Sequence, residues 1–79
     1  MARVLMFGAL QQLAGWRERI IEASSLDDLR ALLAGEDRSL GERLAGPGVF
    51  AVVNQNMVRG DQCLEAEDEV AFVPPVSGG

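Results

Sequence analysis

Apolar residues fall along the chain in short blocks, and the spacing within each block implies an element. From Arg3 to Leu10 they occupy both parities, Val4 and Met6 against Leu5 and Phe7. That pattern predicts a central strand covered on both faces. Gly8 and Ala9 weaken it, and Leu10-Gln11-Gln12-Leu13-Ala14 then has room for one helical turn before Gly15. Trp16 to Ala23 alternates Glu18, Ile20 and Glu22 with Arg19 and Ile21. This reads as an edge strand whose buried side the pattern leaves open.

The plainest helix start lies at Ser25-Leu26-Asp27-Asp28. It has the shape of a capping box with Asp in place of the usual Glu, and its two acids favour the positive end of a helix dipole. Leu26, Leu29, Leu32 and Leu33 follow at helical spacing and predict one buried stripe, with Gly35 as a left-handed C-terminal cap. Asp37 to Leu44 predicts a second short helix, stopped by Gly46-Pro47-Gly48. Val49 to Val53 is a β-branched and aromatic run typical of a buried strand, Asn54-Gln55-Asn56 supplies turn formers, and Met57-Val58-Arg59 returns as a short strand. Glu69 to Val73 is a last strand, halted by Pro74-Pro75 because proline offers no amide hydrogen to a ladder. Strand, strand, helix, strand, short strand, strand predicts an α+β domain over 1–73. Its mixed sheet would have four to five strands with one main helix across it, as in ubiquitin-like β-grasp domains. Residues 74–79 are left as an extended tail.

At 79 residues with 48% apolar content, the chain can form one packed core and has no room for a separate catalytic domain. No apolar run approaches the ~20 residues of a membrane span, and Val4 to Phe7 is too short for a signal-peptide core, so a cytoplasmic protein is expected. The reactive inventory is thin: no His, no Lys, no Tyr and one cysteine, Cys63. Ser-His or Cys-His nucleophile activation lacks its base, and a structural zinc site lacks its ligands. A disulfide framework is excluded, and Cys63 reads as an ordinary packed or half-exposed thiol with no cation within three residues. A net charge of −5 argues against nucleic-acid or anionic-membrane binding. The acids Glu65, Glu67, Asp68 and Glu69 can steer a basic partner toward the C-terminus, and equally suit a solvated loop.

After Val73 the sequence stops behaving like core. In Pro74-Pro75-Val76-Ser77-Gly78-Gly79 the prolines favour an extended base, and six residues reach about 20 Å when fully stretched. The last two glycines remove every Cβ, so such an end can thread a channel little wider than a bare backbone. Its reactive group would be the Gly79 carboxylate, a poor electrophile until ATP turns one oxygen into a leaving group. Displacement of AMP by a sulfur nucleophile would then give a thiocarboxylate, a sulfur donor. Gly-Gly by itself is a weak signal, since flexible ends are often glycine-rich.

The longer stretch Asp68-Glu69-Val70-Ala71-Phe72-Val73-Pro74-Pro75-Val76-Ser77-Gly78-Gly79 closely resembles the C-terminal signature of the small, sulfur-carrying subunits of molybdopterin synthase. The resemblance extends to Val4-Leu5-Met6-Phe7-Gly8-Ala9 with Leu13-Ala14-Gly15, and to Ala51-Val52-Val53-Asn54-Gln55. It implies a β-grasp fold and a chain that is not an enzyme on its own, with no metal and no cofactor of its own. It further implies a Gly79 that an E1-like partner adenylates with ATP and magnesium, and a persulfide-bearing sulfurtransferase as sulfur source. The thiocarboxylated tail would enter the large subunit of a heterotetramer and donate sulfur to cyclic pyranopterin monophosphate in molybdenum cofactor biosynthesis. Positions matching the family's docking face are Phe7, Met57 and Val73, with Pro74, Pro75, Val76 and Ser77 leading to Gly78 and Gly79. Each of the first three also has a plain core reading. Two departures stand out: Gln11-Gln12 where the family often has Arg-Glu, and Glu67 where a turn glycine is usual. Rival readings are the carrier of thiamine thiazole synthesis, a ubiquitin-like modifier of lysines on other proteins, and an inert β-grasp module with a spare tail.

Overall fold

The computed structural model describes residues 1–74. Five strands and three helices follow in the order β1 (Ala2–Met6), α1 (Ala9–Ala14), β2 (Glu18–Ile21), α2 (Leu26–Glu36), α3 (Arg38–Ala45), β3 (Phe50–Val53), β4 (Asn56–Val58) and β5 (Glu69–Val73). The strands form one mixed sheet, β2-β1-β5-β3-β4, in which β1 and β5 run parallel and the other neighbours antiparallel. This is the β-grasp arrangement expected from the element order, with all five strands present and β2 on an edge as anticipated. The parallel central pair needs a long crossover, which the helices supply while covering one side of the sheet.

The period of two sorts each strand. Ala2, Val4 and Met6 of β1, Val70 and Phe72 of β5, and Ala51 and Val53 of β3 turn to the covered side and are buried. Leu26, Leu29 and Leu33 of α2 with Leu40 and Leu44 of α3 close over them as one cluster. Leu32, expected in that stripe, is exposed. Its place beside Leu33 turns it off the contact line of Leu26, Leu29 and Leu33. The expectation that β1 is covered on both faces is also corrected. No helix among the described residues covers the other side, where Leu5 is half-buried and Phe7 is exposed.

Capping explains where the helices begin and end. Ser25 is extended, and its hydroxyl accepts the Asp28 backbone N–H at 3.1 Å, with Asp27 and Asp28 in the first turn. The end differs from the sequence reading: Gly35 stays helical and α2 runs on to Glu36. Asp37 ends it, donating its backbone N–H to the Leu33 carbonyl, while its carboxylate accepts the Leu40 N–H at 3.1 Å to start α3. A cap for the following helix thus overrides the glycine as a stop. The two helices meet tightly at Gly41, where a Cβ would lie 2.3 Å from the Ala34 Cβ. Between β3 and β4, Asn54 and Gln55 both have positive φ, 50° and 71°, giving the two-residue turn whose twist matches a hairpin.

Candidate functional site

The parallel pairing of β1 with β5 sets where β5 ends. Met6 lies opposite Phe72, so Phe7 comes beside Val73 and Gly8 beside Pro74. There the two strands part. Pro74 has no amide hydrogen with which to extend the ladder. Gly8 turns β1 away with φ 56° and ψ −132°, a conformation open only to glycine. A Cβ on Gly8 would lie 3.1 Å from the Pro74 ring, so the missing side chain also makes the proline's seat. Of the positions singled out in the sequence, Pro75, Val76, Ser77, Gly78 and Gly79 lie outside the described residues.

Phe7, Val73 and Met57 come to the same, uncovered side of the sheet. Phe50 pairs with Val73, and Phe7 continues that row past the end of β1. The next row runs Leu5, Ala71, Val52 and Met57 across four strands. Phe7 is 43% exposed, Met57 56% and Phe50 38%, while Val73 is half-buried. Sequence reasoning missed Leu5, Phe50, Val52 and Ala71 as part of this patch. Its signal was the two-sided apolar pattern of the central strands, taken there for burial on both sides. The far end of the same face is polar: Arg3 bonds to Glu69 and stands 3.6 Å from Glu18. The Glu69 hydrogen bond, then the charges of Glu69 and Glu18, raise the Arg3 pKa further and keep it cationic.

A polar clamp fixes the start of β5 and so the register of everything after it. Asn54 accepts the Glu69 backbone N–H at 3.0 Å, donates to the Asp68 carboxylate at 2.9 Å, and donates its own backbone N–H to the Glu69 carbonyl. Asp68 also accepts the Glu65 backbone N–H at 2.8 Å. These bonds, Glu65 first and Asn54 second, hold its carboxyl below the usual aspartate value. Glu67, where the family usually has a turn glycine, sits in this turn without a positive φ. The Glu65 to Asp68 turn closes through the Asp68 N–H to the Glu65 carbonyl, and among the described residues only Asn54 and Gln55 are non-glycines with positive φ. Gln11 and Gln12 are exposed on α1, with their backbone N–H groups on the Gly8 carbonyl. Cys63 is exposed, in a single bridge to Ser25 at the foot of α2.

Among the described residues no group of three or more His, Cys, Asp or Glu side chains is placed to hold a metal ion, and no helix is long and apolar enough to cross a membrane. What the arrangement offers is an apolar face with the last described residue, Pro74, at its rim. The chain is 35% identical over its whole length to the molybdopterin synthase sulfur carrier subunit of Escherichia coli, also covered in full. Among solved structures it resembles SAMP1 of Haloferax volcanii (TM-score 0.85, 25% identity, 99% of this chain and 98% of that one). It also resembles a putative molybdopterin converting factor subunit 1 of Pyrococcus furiosus (TM-score 0.82, 30% identity, 95% and 97%). Residues 4–79, from β1 through the terminal glycines, match the description of one family, and the chain belongs to it: the ThiS family, with the ubiquitin-like β-grasp fold.

Proposed function

We propose that this protein is the sulfur-carrier small subunit of a molybdopterin synthase and contributes a reactive chain end, with no catalytic side chain of its own. The Gly79 carboxylate attacks the α-phosphorus of ATP on an E1-like partner that binds the magnesium, and pyrophosphate leaves. Persulfide sulfur from a sulfurtransferase then attacks the acyl carbon and AMP leaves. A second thiol of that enzyme cleaves the S–S bond, forming a disulfide there and releasing the thiocarboxylate. The uncovered face around Phe7, Val73, Phe50 and Met57 seats the large subunit, Pro74 and Pro75 hold the tail's base, and Val76, Ser77 and Gly78 thread it. Sulfur is delivered to cyclic pyranopterin monophosphate in the cytoplasm.

The observation that carries this reading is the placement of Pro74, where β5 ends against Gly8 at the rim of an exposed apolar face, together with full-length likeness to a sulfur carrier. Apolar side chains left exposed in this number on so small a domain suit a partner surface. Deleting Gly79, or adding one residue after it, is expected to abolish molybdopterin formation in a reconstituted mixture while leaving the far-UV spectrum and melting unchanged. Unaltered product formation would refute the reading. A second reading, a modifier joined to lysines of other proteins, is favoured by the likeness to SAMP1. It uses the same acyl-adenylate but predicts amide-linked adducts on target lysines.

A further inference from the structure

The outer edge of β2 carries unused bonding capacity. The Met6 N–H donates to the Arg17 carbonyl at 2.9 Å, and the register continues through Val4 with Arg19 and Ala2 with Ile21. In an antiparallel ladder alternate residues bond to the neighbour, so Arg17, Arg19 and Ile21 turn their backbone groups to β1. Those of Glu18, Ile20 and Glu22 turn outward from the sheet. Ile20 is 58% exposed on the uncovered face, beside an open depression of about 280 Å³ lined by Met1, Arg3, Ile20, Ala66, Glu67 and Asp68. Arg19 is occupied elsewhere: it forms a two-pronged pair with Glu36 at 2.7 and 3.2 Å and lies 5.0 Å over the Trp16 ring.

We propose that this edge accepts an extended, basic peptide segment as a sixth strand, with an apolar residue beside Ile20 and Lys or Arg beside Glu18 and Glu22. Charge selects the occupant. Were a second copy of this chain to pair antiparallel about Ile20, Glu18 of each copy would face Glu22 of the other, and like charges directly opposite destabilise a strand pair. The same acids attract a basic strand, and the net charge of −5 adds to that attraction. An apolar side chain of the added strand lies on the same face as Ile20 and packs against its exposed side chain, while main-chain bonds to Glu18, Ile20 and Glu22 supply register. This surface stands apart from the tail's exit, since Ile20 pairs with Arg3 near the start of β1 and Phe7 lies past its other end.

The test titrates the isotope-labelled full chain with acetyl-Lys-Thr-Val-Thr-Lys-amide and, separately, with its Glu-flanked counterpart, following backbone amides by NMR. The basic peptide is expected to shift the amides of Glu18, Ile20 and Glu22 and slow their hydrogen exchange, more weakly as salt is raised, and the acidic peptide to leave them unmoved. Ile20→Pro removes only an outward N–H, so the β1 ladder stays intact and binding is expected to fall at least tenfold. The charge reversal Glu18→Lys with Glu22→Lys is expected to exchange the preference from the basic to the acidic peptide, and it keeps the test decisive should Ile20→Pro misfold. The proposal is overturned by no saturable shift on β2, by shifts confined to Phe7, Phe50 and Met57, by equal binding of both peptides, or by self-association of the chain through β2.

Discussion

Both faces of the sheet carry apolar side chains, yet only one is covered. On the helix side Val4, Met6, Val70 and Phe72 are fully buried beneath α2 and α3. On the other side Phe7, Phe50 and Met57 keep 38–56% of their surface, grouped where the chain's last strand ends. The first set holds the domain together and the second is available to a partner. Side chains of one chemical type therefore divide into two roles according to what lies above them. Substitutions on the two faces should accordingly fail in different assays.

The sharpest break is Phe72→Ala. It empties the centre of the covered face and is expected to cost about 3–5 kcal/mol in urea unfolding, a large share of the roughly 5–15 kcal/mol that holds a small domain. A cost below about 1 kcal/mol would mean that the helices do not seal that face. Next comes Gly41→Ala, which drives a Cβ into Ala34 and pushes α3 off α2. Overpacking of this kind is expected to cost about 1–3 kcal/mol by the same measurement. Phe7→Ala and Met57→Ala reverse the pattern. Their unfolding free energy should move by no more than about 0.5 kcal/mol, while affinity for the large subunit, read by calorimetry, should fall by about 1–2 kcal/mol each. Equal losses in both assays would erase the distinction between the faces.

The smallest effect concerns the clamp that sets β5 between those faces. The Asp68 carboxyl is held below its ordinary value of 3.8 by the Glu65 and Asn54 bonds. As pH falls past that value the unfolded chain takes up the proton first, so the stabilisation is complete above about pH 4 and is lost as pH drops through the lower folded value. Glu36, held down chiefly by its bond to Arg19, acts in the same direction. Urea midpoints recorded between neutral and strongly acid pH should show a shallower acid loss in Asp68→Asn than in the parent chain.

Local rules made much of this legible before the fold was known. Ser25 followed by two acids marks the start of α2, and Glu69 to Val73 ahead of two prolines marks β5 to the residue. The positions that escaped are those decided by neighbours distant in sequence or by competition between signals. Gly35 is a plausible stop until Asp37 starts the next helix. Leu32 belongs to the leucine stripe by spacing and leaves it by packing. The apolar second parity of β1 and β3 implies burial, and a single chain cannot say whether a helix or another protein provides it. Phe7, Met57 and Val73 were found only through family resemblance, whereas Leu5, Phe50, Val52 and Ala71 needed the strand register to join them.

The claim beneath all of this is that the chemistry resides in the backbone terminus. The most direct measurement is intact mass, with fragmentation, after incubating the chain with its activating enzyme, ATP and a sulfur source. The account predicts replacement of one oxygen by one sulfur, located at Gly79 and absent when ATP is omitted. Sulfur found on Cys63, or a terminus that stays an unmodified carboxylate, would contradict it.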